Sequence, residues 1–316
     1  MNLAETFAGA DVLVTGGLGF IGSNVARRLV QLGARVTLVD SMIPDYGGNL
    51  FNVHDIRDDV TVNIADVRDR AAMDRLVQGR DYLFNLAGQV SHIDSMLDPF
   101  TDLDINCRSQ LSILESCRHN NLDVKVVFAG SRQQYGRPRY LPVDEEHPLR
   151  PADVNGVNKM AGEAYHLLFH DVYGPGMRIK DARQNFLGIW LRLVIEGKPF
   201  EVWGGEQRRD MLYIEDAVDA FLAAAVSPAT EGLALNVGGD APYTLTDIAA
   251  ALVTANGGGN YAIREFPEER KKIDVGDFVT DDRRFRELAD WAPRTSLAEG
   301  LARSIAYYRP RMPLYV

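Results

Sequence analysis

Long apolar runs are absent from this chain of 316 residues. No stretch approaches the roughly 20 consecutive apolar residues that a membrane-spanning helix needs. The amino-terminal residues also lack a charged segment followed by a long apolar one, which is the pattern of a signal peptide. We therefore expect no membrane partner and a cytoplasmic location.

Long basic runs are missing as well. Lys and Arg number 34 against 44 Asp and Glu, and the formal net charge is −10. A nucleic-acid surface needs clustered positive charge. The chain is therefore predicted to bind no nucleic acid.

Cysteine is scarce, with Cys107 and Cys117 as the two copies. Both fall in one predicted helix, where a spacing of ten residues at about 1.5 Å rise per residue separates them too far for a disulfide. The six histidines show no metal-ligand spacing. We expect reduced thiols and no bound metal.

A glycine-rich turn in an ordinary globular composition is the first positive signal. The apolar run 12–14 predicts a buried strand, glycines follow at Gly16, Gly19 and Gly22, and 23–32 predicts a helix. In this context glycines permit a tight turn, close approach to a pyrophosphate and close helix–strand packing, while the helix N-terminus favours the anion. The pattern predicts a dinucleotide site.

An acid at the end of the second predicted strand supports this interpretation. The apolar stretch 35–39 ends in Asp40, near the offset of about 20 residues at which a carboxylate accepts hydrogen bonds from the adenosine ribose. A carboxylate there repels a 2′-phosphate. The sequence therefore favours NAD over NADP.

Further strands and helices alternate along the chain. Strands are predicted at 60–64, 81–86 and 124–129, with helices at 68–77 and 103–119. Such alternation is typical of a parallel, doubly wound sheet, in which ligands bind at the carboxyl ends of the strands. The glycine turn, Asp40, Asp66, Ala87 and Ser131 all fall at such ends.

The second half has a different pattern. Helices are predicted at 186–196, 214–225, 246–256 and 297–308, and strands at 200–203 and 233–237. This mixture predicts a smaller α/β unit joined to the sheet.

Motifs along most of the chain resemble the extended short-chain dehydrogenase/reductases that act on nucleotide sugars, the sugar-nucleotide epimerases and dehydratases. They are Thr15-Gly-Gly-Leu-Gly-Phe-Ile-Gly22, Asp66-Val67, Leu86-Ala87-Gly88, Ser131 before Tyr135-Gly136, Asn158-Lys159, Tyr173-Gly-Pro-Gly176, Arg209-Asp210 with Tyr213 and Asp216, and Asn236-Val-Gly238. The resemblance implies a Rossmann-like NAD-binding domain (1–176 and 211–239) and a substrate-binding domain (177–210 and 240–316).

The resemblance also implies roles for single residues. Cofactor contacts would come from Gly16, Gly19, Phe20, Ile21, Gly22, Asp40, Asp66, Val67, Leu86, Ala87, Gly88 and Lys159. Substrate contacts would come from Ser131, Gln133, Asn185, Arg209 and Arg270. Ser131 would bind the reacting sugar hydroxyl, and a guanidinium at Arg209 suits diphosphate oxygens.

One departure from the family concerns the chemistry. The family has a catalytic tyrosine four residues before the lysine, but Asn155 stands there in this chain. An amide cannot titrate, and loss of a positioned base typically costs about 10²–10⁴ in rate. Candidates for the base are Lys159, which the sequence favours, and Asp153, Tyr135 and His92. Asn155 itself would orient the substrate or ribose, so the predicted catalytic set is Ser131, Lys159 and Asn155.

Two more departures from the family concern the residues after Ser131 and the length of the chain before Tyr173. Dehydratases of the family have acids after the residue equivalent to Ser131, whereas this chain has Arg132 and Gln133. About a dozen residues are missing before Tyr173, so either the strand that precedes this motif in the family is absent or the sequence omits a segment.

These observations predict an NAD-dependent enzyme that acts on a nucleotide-linked sugar, or a related nucleoside, through a transient keto intermediate. Epimerisation is preferred and elimination of water is the alternative. A second alternative is a catalytically idle NAD-binding sensor or scaffold, which Asn155 and the short chain favour. The resemblance also implies a homodimer formed through helices near 100–118 and 157–170.

Overall fold

The structure is a computed structural model that describes residues 3–43, 46, 48–165, 172–180, 186–266 and 276–316. No helix among these residues is both long and apolar enough to cross a membrane.

Strands and helices alternate through the first half of the chain. Their bounds are α1 Leu3–Phe7, β1 Asp11–Thr15, α2 Phe20–Gln31, β2 Arg35–Asp40, β3 Val60–Ile64, α3 Arg70–Leu76, β4 Tyr82–Asn85, α4 His92–Leu97, α5 Pro99–Leu103, α6 Ser109–Asn120, β5 Lys125–Phe128 and α7 Val154–Tyr165. A π-helical turn, Asp104–Arg108, joins α5 to α6.

The second half is more mixed. Its elements are β6 Val172–Tyr173, α8 Phe186–Ile195, β7 Phe200–Trp203, β8 Arg208–Asp210, β9 Leu212–Tyr213, α9 Ile214–Val226, β10 Pro242–Thr244, α10 Leu245–Asn256, β11 Tyr261–Arg264, α11 Arg283–Ala289, α12 Leu297–Tyr308 and α13 Met312–Tyr315.

The main sheet is parallel, and within the described residues its five strands have the order β3-β2-β1-β4-β5. Side chains alternate between its faces. Val12 and Val14 pack with α2 and α9 on one face, whereas Leu13 packs with Met73 of α3 and Ile113 of α6 on the other. The predicted Rossmann-like doubly wound sheet is confirmed.

Outside the main sheet, the described residues form three short ladders. β7 and β11 pair in parallel, β8 and β10 pair antiparallel, and β6 pairs in parallel with β9. Apolar residues of α8, α10 and α12 join the core cluster that lies on the α2 side of the main sheet.

Val172 and Tyr173 form the two-residue strand β6. The residues just before it, 166–171, lie outside the described residues, so both alternatives drawn from the short sequence stay predictions. β6 pairs with β9, not with β5 of the main sheet. The predicted helix beyond residue 165 lies outside the described residues.

The predicted strand at 233–237 is wrong. These residues form no ladder among the described part of the chain. Leu235 and Val237 are nevertheless buried against Leu212, and the backbone N–H of Asn236 donates to the Glu145 carboxylate at 2.6 Å. The apolar alternation correctly indicated burial, but a side chain, not a strand carbonyl, binds this backbone.

Candidate functional site

A cleft of about 750 Å³ lies at the carboxyl ends of β1, β2, β4 and β5, with α8, β7 and β8 opposite. The predicted site residues that the structure describes all line it: Gly16, Gly19, Phe20, Ile21, Gly22, Asp40, Asp66, Val67, Leu86, Ala87, Gly88, Ser131, Gln133, Asn155, Lys159 and Arg209. Asn185 and Arg270 lie outside the described residues.

The glycine turn has the close packing expected of a phosphate-binding loop. Gly16 has φ +65°, a left-handed conformation that favours glycine. A Cβ on Gly22 would collide with the carbonyl oxygen of Gly16. Gly19 is the N-cap of α2 and has no side chain to satisfy the first-turn N–H groups. The turn therefore presents donors and the positive helix end to an anion.

Two carboxylates lie at the ends of neighbouring strands in the cleft. Asp40 accepts hydrogen bonds from the backbone N–H groups of Leu18 at 3.1 Å and Met42 at 2.9 Å. Burial raises the pKa of Asp40. Each of its oxygens retains a lone pair that can accept a ribose hydroxyl.

Asp66 follows β3, the strand that pairs with β2 and therefore lies next to Asp40. Its carboxylate faces Arg68. Two guanidinium nitrogens of Arg68 donate to it at 2.9 and 2.6 Å. These hydrogen bonds hold the pKa of Asp66 below its usual value. Asp66 therefore stays ionised near neutral pH and can accept further hydrogen bonds.

Helix α7 binds a buried carboxylate that the sequence did not indicate. Asp102 accepts hydrogen bonds from the side-chain amides of Asn106 at 3.0 Å, Asn155 at 2.9 Å and Asn158 at 2.8 Å. The Nζ of Lys159 donates to Asn106 Oδ1 at 3.1 Å. The spacing of Asp102 and Asn106, four residues apart in a helical segment, was the signal that could have revealed this pair.

Lys159 is buried beside Gly88, where an added Cβ would come within 2.7 Å of its Nζ. Burial lowers the pKa of Lys159 to about 8, although the charge of Asp102 acts in the opposite direction. Glycine at position 88 thus leaves room for the lysine at the cleft wall. This is the close contact that the Leu86-Ala87-Gly88 motif provides.

Ser131 and Gln133 begin the short 3₁₀ turn that follows β5. The Oγ of Ser131 accepts a hydrogen bond from the backbone N–H of Gln133 at 3.3 Å. This single, long bond leaves the hydroxyl hydrogen available to a ligand. Arg132, where the dehydratases have an acid, lies over the Phe278 ring at 5.6 Å.

His92 and Asp153, which are distant in the sequence, meet at the cleft. His92 begins α4 and lines the cleft, and its Nδ1 lies 2.6 Å from Asp153 Oδ2. The other oxygen of Asp153 accepts the backbone N–H of Gly156 at 2.7 Å and so caps α7. Burial raises the pKa of Asp153, but the hydrogen bond and charge of His92 outweigh burial and leave it lowered.

Tyr135, a candidate base from the sequence, does not line the cleft. Its hydroxyl donates to Asn236 Oδ1 at 3.0 Å in a buried position. Burial raises the pKa of Tyr135, so its phenolate is disfavoured. Tyr135 is therefore a packing residue.

The opposite wall is aromatic and contains one buried arginine. Arg209 is 4% exposed, and its Nη1 donates to the backbone carbonyls of Arg208, at 2.8 Å, and Gly276. The aromatic rings of this wall are Phe186, Trp190, Phe200, Trp203 and Phe266. Trp190 is buried in the core cluster and also lines the cleft, whereas Trp203 is only half-buried there.

Among the described residues, no group of three or more His, Cys, Asp or Glu side chains could hold a metal ion.

Comparison with known families agrees with this geometry. A profile of the NAD dependent epimerase/dehydratase family matches residues 12–238, which is most of the chain. The resemblance stated from the motifs and the prediction of NAD as cofactor are both confirmed. This match gives no support to the alternative of a catalytically idle protein.

Relatives match along nearly their whole length. A UDP-glucose 4-epimerase of Mycolicibacterium smegmatis is 29% identical, covering 94% of this chain and 98% of the relative. A dTDP-glucose 4,6-dehydratase of Streptomyces griseus is 28% identical, with 94% and 93% covered. The crystal structure of a Thermotoga maritima UDP-glucose 4-epimerase with UDP-glucose superposes with a TM-score of 0.85 at 26% identity, covering 96% of this chain and 99% of that one.

Proposed function

Because the chain belongs to the NAD dependent epimerase/dehydratase family, we propose that it epimerises a nucleotide-linked sugar, or a related nucleoside, through a transient keto intermediate. One observation carries the proposal: residues suited to NAD and residues suited to a sugar nucleotide line the same cleft. Bound NAD supplies a hydride acceptor for a sugar carbon. A protein that only bound NAD would not need Ser131 and the buried Lys159 at the place where the cofactor and substrate ends of the cleft meet.

We assign the cofactor-binding end of the cleft from the glycine turn and the carboxylates of Asp40 and Asp66. The N–H groups at the start of α2 suit the pyrophosphate, Asp40 suits the adenosine ribose and Asp66 suits the adenine. Lys159 is placed to hold the nicotinamide ribose, and Ser131 to bind the reacting sugar hydroxyl.

The substrate end is assigned from the aromatic wall. Rings such as Trp203 and Phe266, whose centroids lie 6.2 Å apart, offer flat apolar surface to a nucleobase. Arg209 suits the diphosphate. The M. smegmatis and T. maritima relatives carry UDP-glucose in their names, which makes UDP-sugars the first class to test.

Epimerisation is preferred over dehydration because of the residues after Ser131. Arg132 and Gln133 cannot supply the paired acid chemistry of a 4,6-dehydration. The S. griseus relative keeps elimination as the second candidate.

The test is incubation of the protein and NAD with a panel of sugar nucleotides and nucleosides in D₂O, with products read by mass spectrometry and NMR. A stereoisomer without added mass supports direct oxidation and re-reduction. Loss of water supports the dehydratase alternative. NAD binding without any product would contradict both.

The chain also has a surface suited to a second copy. Exposed apolar residues cluster on α4, α5 and the neighbouring helices; we define this as the α4–α7 patch, formed by Ile93, Met96, Leu97, Phe100, Leu103, Leu111 and Val157. Soluble monomers seldom expose large contiguous apolar areas. We propose that two copies pair through this patch, as the family resemblance implies.

The domain boundaries are retained as a proposal: 1–176 and 211–239 for NAD, 177–210 and 240–316 for substrate. Their support is that the main sheet and the ladders of β7, β8, β10 and β11 fall in different parts. The cytoplasm remains the proposed location, supported by the unpaired Cys107 and Cys117.

A further inference from the structure

The proposed reaction needs a group that removes the proton of the sugar hydroxyl, and Asn155 cannot do so. Its amide is 1% exposed and donates to Gln89 and Asp102. The base must therefore come from another titratable group on the cleft wall. Those in the described part of the wall are Asp40, Tyr46, Asp66, His92, Arg132, Lys159, Glu201 and Arg209.

Most of these groups are unsuitable because of their place or their charge. Asp40 and Asp66 lie at the strand ends assigned to the adenosine. Glu201 pairs with Arg264 at 3.2 Å on a side chain that is more than half exposed. The arginines remain protonated at any physiological pH.

Lys159 on α7 and Tyr46 also line the cleft and remain to be considered. A lysine whose pKa is about 8 is still mostly protonated at neutral pH, and its ammonium donates to Asn106. Burial raises the pKa of Tyr46, and neighbouring carboxylates raise it further, which disfavours the phenolate. Neither group is a ready proton acceptor at neutral pH.

His92 differs from both in having a carboxylate that orients it. An ionised carboxylate only accepts, so the contact of 2.6 Å places a hydrogen on Nδ1, and the neutral imidazole then has its lone pair on Nε2. The His92 side chain is 26% exposed while that of Asp153 is 2% exposed. This is the base-and-orienter arrangement of nucleophile-activating triads.

We propose that His92 is the general base of the reaction and that Asp153 is its positioning residue; the inference rests on the proposed function. The hydroxyl O–H bond breaks and its proton bonds to Nε2 of His92. The electron pair of the adjacent C–H bond leaves as hydride to the nicotinamide cofactor, and a C=O bond forms. In the return step the carbonyl carbon takes the hydride back on its other face and the oxygen takes the proton from His92.

The cap made by Asp153 explains how the imidazole keeps its place. One oxygen binds the N–H of Gly156 and the other binds His92. α7 is also the helix that contains Lys159. The imidazole is thus fixed to the same helix as the lysine, through a single carboxylate, although His92 itself belongs to α4.

The first test compares His92→Gln, His92→Ala and wild type with the best substrate. Both variants should lose about 10²–10⁴ in kcat while binding NAD and substrate with unchanged affinity. Added imidazole, at constant pH and ionic strength, should restore part of the activity of His92→Ala but not of His92→Gln, in which the side chain still fills the space. His119→Ala removes an exposed histidine and serves as the control.

Two results would overturn the proposal: wild-type kcat in His92→Gln, or a loss in His92→Ala that imidazole leaves unchanged. The proposed function fails separately, because in that case the wild-type protein itself gives no product from any sugar nucleotide. If the wild-type enzyme turns over and the His92 variants keep its kcat, only the assignment of His92 as the base is rejected.

The second test separates positioning from capping. Asn and Ser are both strong N-cap residues, so Asp153→Asn and Asp153→Ser should retain the cap of α7 and unfold at the wild-type urea concentration. We expect kcat to fall by about 10²–10⁴-fold, since replacing the carboxylate that orients a catalytic histidine costs up to about 10⁴ in kcat. The proton spectrum of wild type should show a downfield Nδ1–H resonance that is absent from His92→Gln and both Asp153 variants. Retained kcat, or no such resonance in wild type, would contradict the positioning role.

Discussion

Asn155 donates its side-chain amide to the Asp102 carboxylate at 2.9 Å, in the position where the family has its tyrosine. The amide also binds the backbone and side-chain oxygens of Gln89 at 3.0 and 3.1 Å. The family resemblance implies proton transfer at this position. In this chain Asn155 instead stabilises a buried charge. This contact also ties α7 to α5, which contains Asp102.

Replacement of Asn155 is therefore expected to affect stability. Asn155→Leu keeps the volume but removes one of the three amides that bind Asp102, and should lower the free energy of unfolding by about 1–3 kcal/mol. Urea denaturation measures the change. Asn120→Ala, at an exposed amide of α6, should cost about 0.5 kcal/mol or less. Equal effects of the two substitutions would contradict a structural role for Asn155.

Lys159 should give the unfolding free energy a distinct pH dependence. Its pKa is lowered to about 8 in the folded chain, from an ordinary 10.5. Between these values the unfolded chain binds more protons, so stability should rise with pH across this window, by about 3 kcal/mol from this group. Below pH 8 both states hold the proton and the contribution is constant.

Lys159→Met removes the titrating amine and so isolates its contribution to the unfolding free energy. The difference between the unfolding free energies of wild type and variant, measured in urea on both sides of the window, should change by about that amount because other titrating groups cancel. The variant should also lose turnover. A pH-independent difference would show that the lysine is not buried as an ammonium, and near-normal turnover would reject its role at the nicotinamide ribose.

Ser131→Ala tests the hydroxyl at the centre of the proposed substrate site. Loss of one positioned donor to a reacting oxygen typically costs about 10²–10³ in kcat. Binding of NAD should be unchanged, because the assigned cofactor contacts lie elsewhere, and is measured by thermal protection. Thr254→Ala, an exposed hydroxyl on α10, should retain wild-type kcat. A Ser131→Ala enzyme with full activity would remove Ser131 from the chemistry.

The α4–α7 patch predicts the oligomeric state. Phe100 is 77% exposed there, and Phe100→Asp should place a charge in the centre of an interface between two copies. We expect a dimer for wild type and a monomer for the variant by light scattering after gel filtration. Leu122→Asp is the matched control, since Leu122 is 80% exposed outside the patch. A monomeric wild type, or a dimeric Phe100→Asp, would contradict the proposal.

Much of the cleft could be predicted because parallel strands bring their carboxyl ends together. Gly16, Asp40, Asp66 and Ser131 each follow a strand that an apolar run identified, so their convergence follows from topology alone. Position along the chain was enough to place these residues in one cleft.

The contacts across α4, α5 and α7 could not be predicted in the same way. A π-helical turn at Asp104–Arg108 interrupts the regular helical period assumed for 103–119, and it contains Asn106. His92 and Asp153 are 61 residues apart and meet only through packing of their helices. Lys159 was therefore favoured as the base, because a lysine close to a cationic nicotinamide should have a lowered pKa, and Tyr135 was retained although its hydroxyl faces Asn236.

The amide cluster around Asp102 has a consequence for any substitution at position 155. Three side chains, Asn106, Asn155 and Asn158, give their hydrogens to one carboxylate. A tyrosine restored at position 155 would add bulk to a filled space and remove a donor from that anion. A single substitution to tyrosine is therefore not expected to install a base at this position, since Asp102 and Gln89 would have to change with it. The three amides and the carboxylate act as one unit, in which a change at one position requires changes at the others.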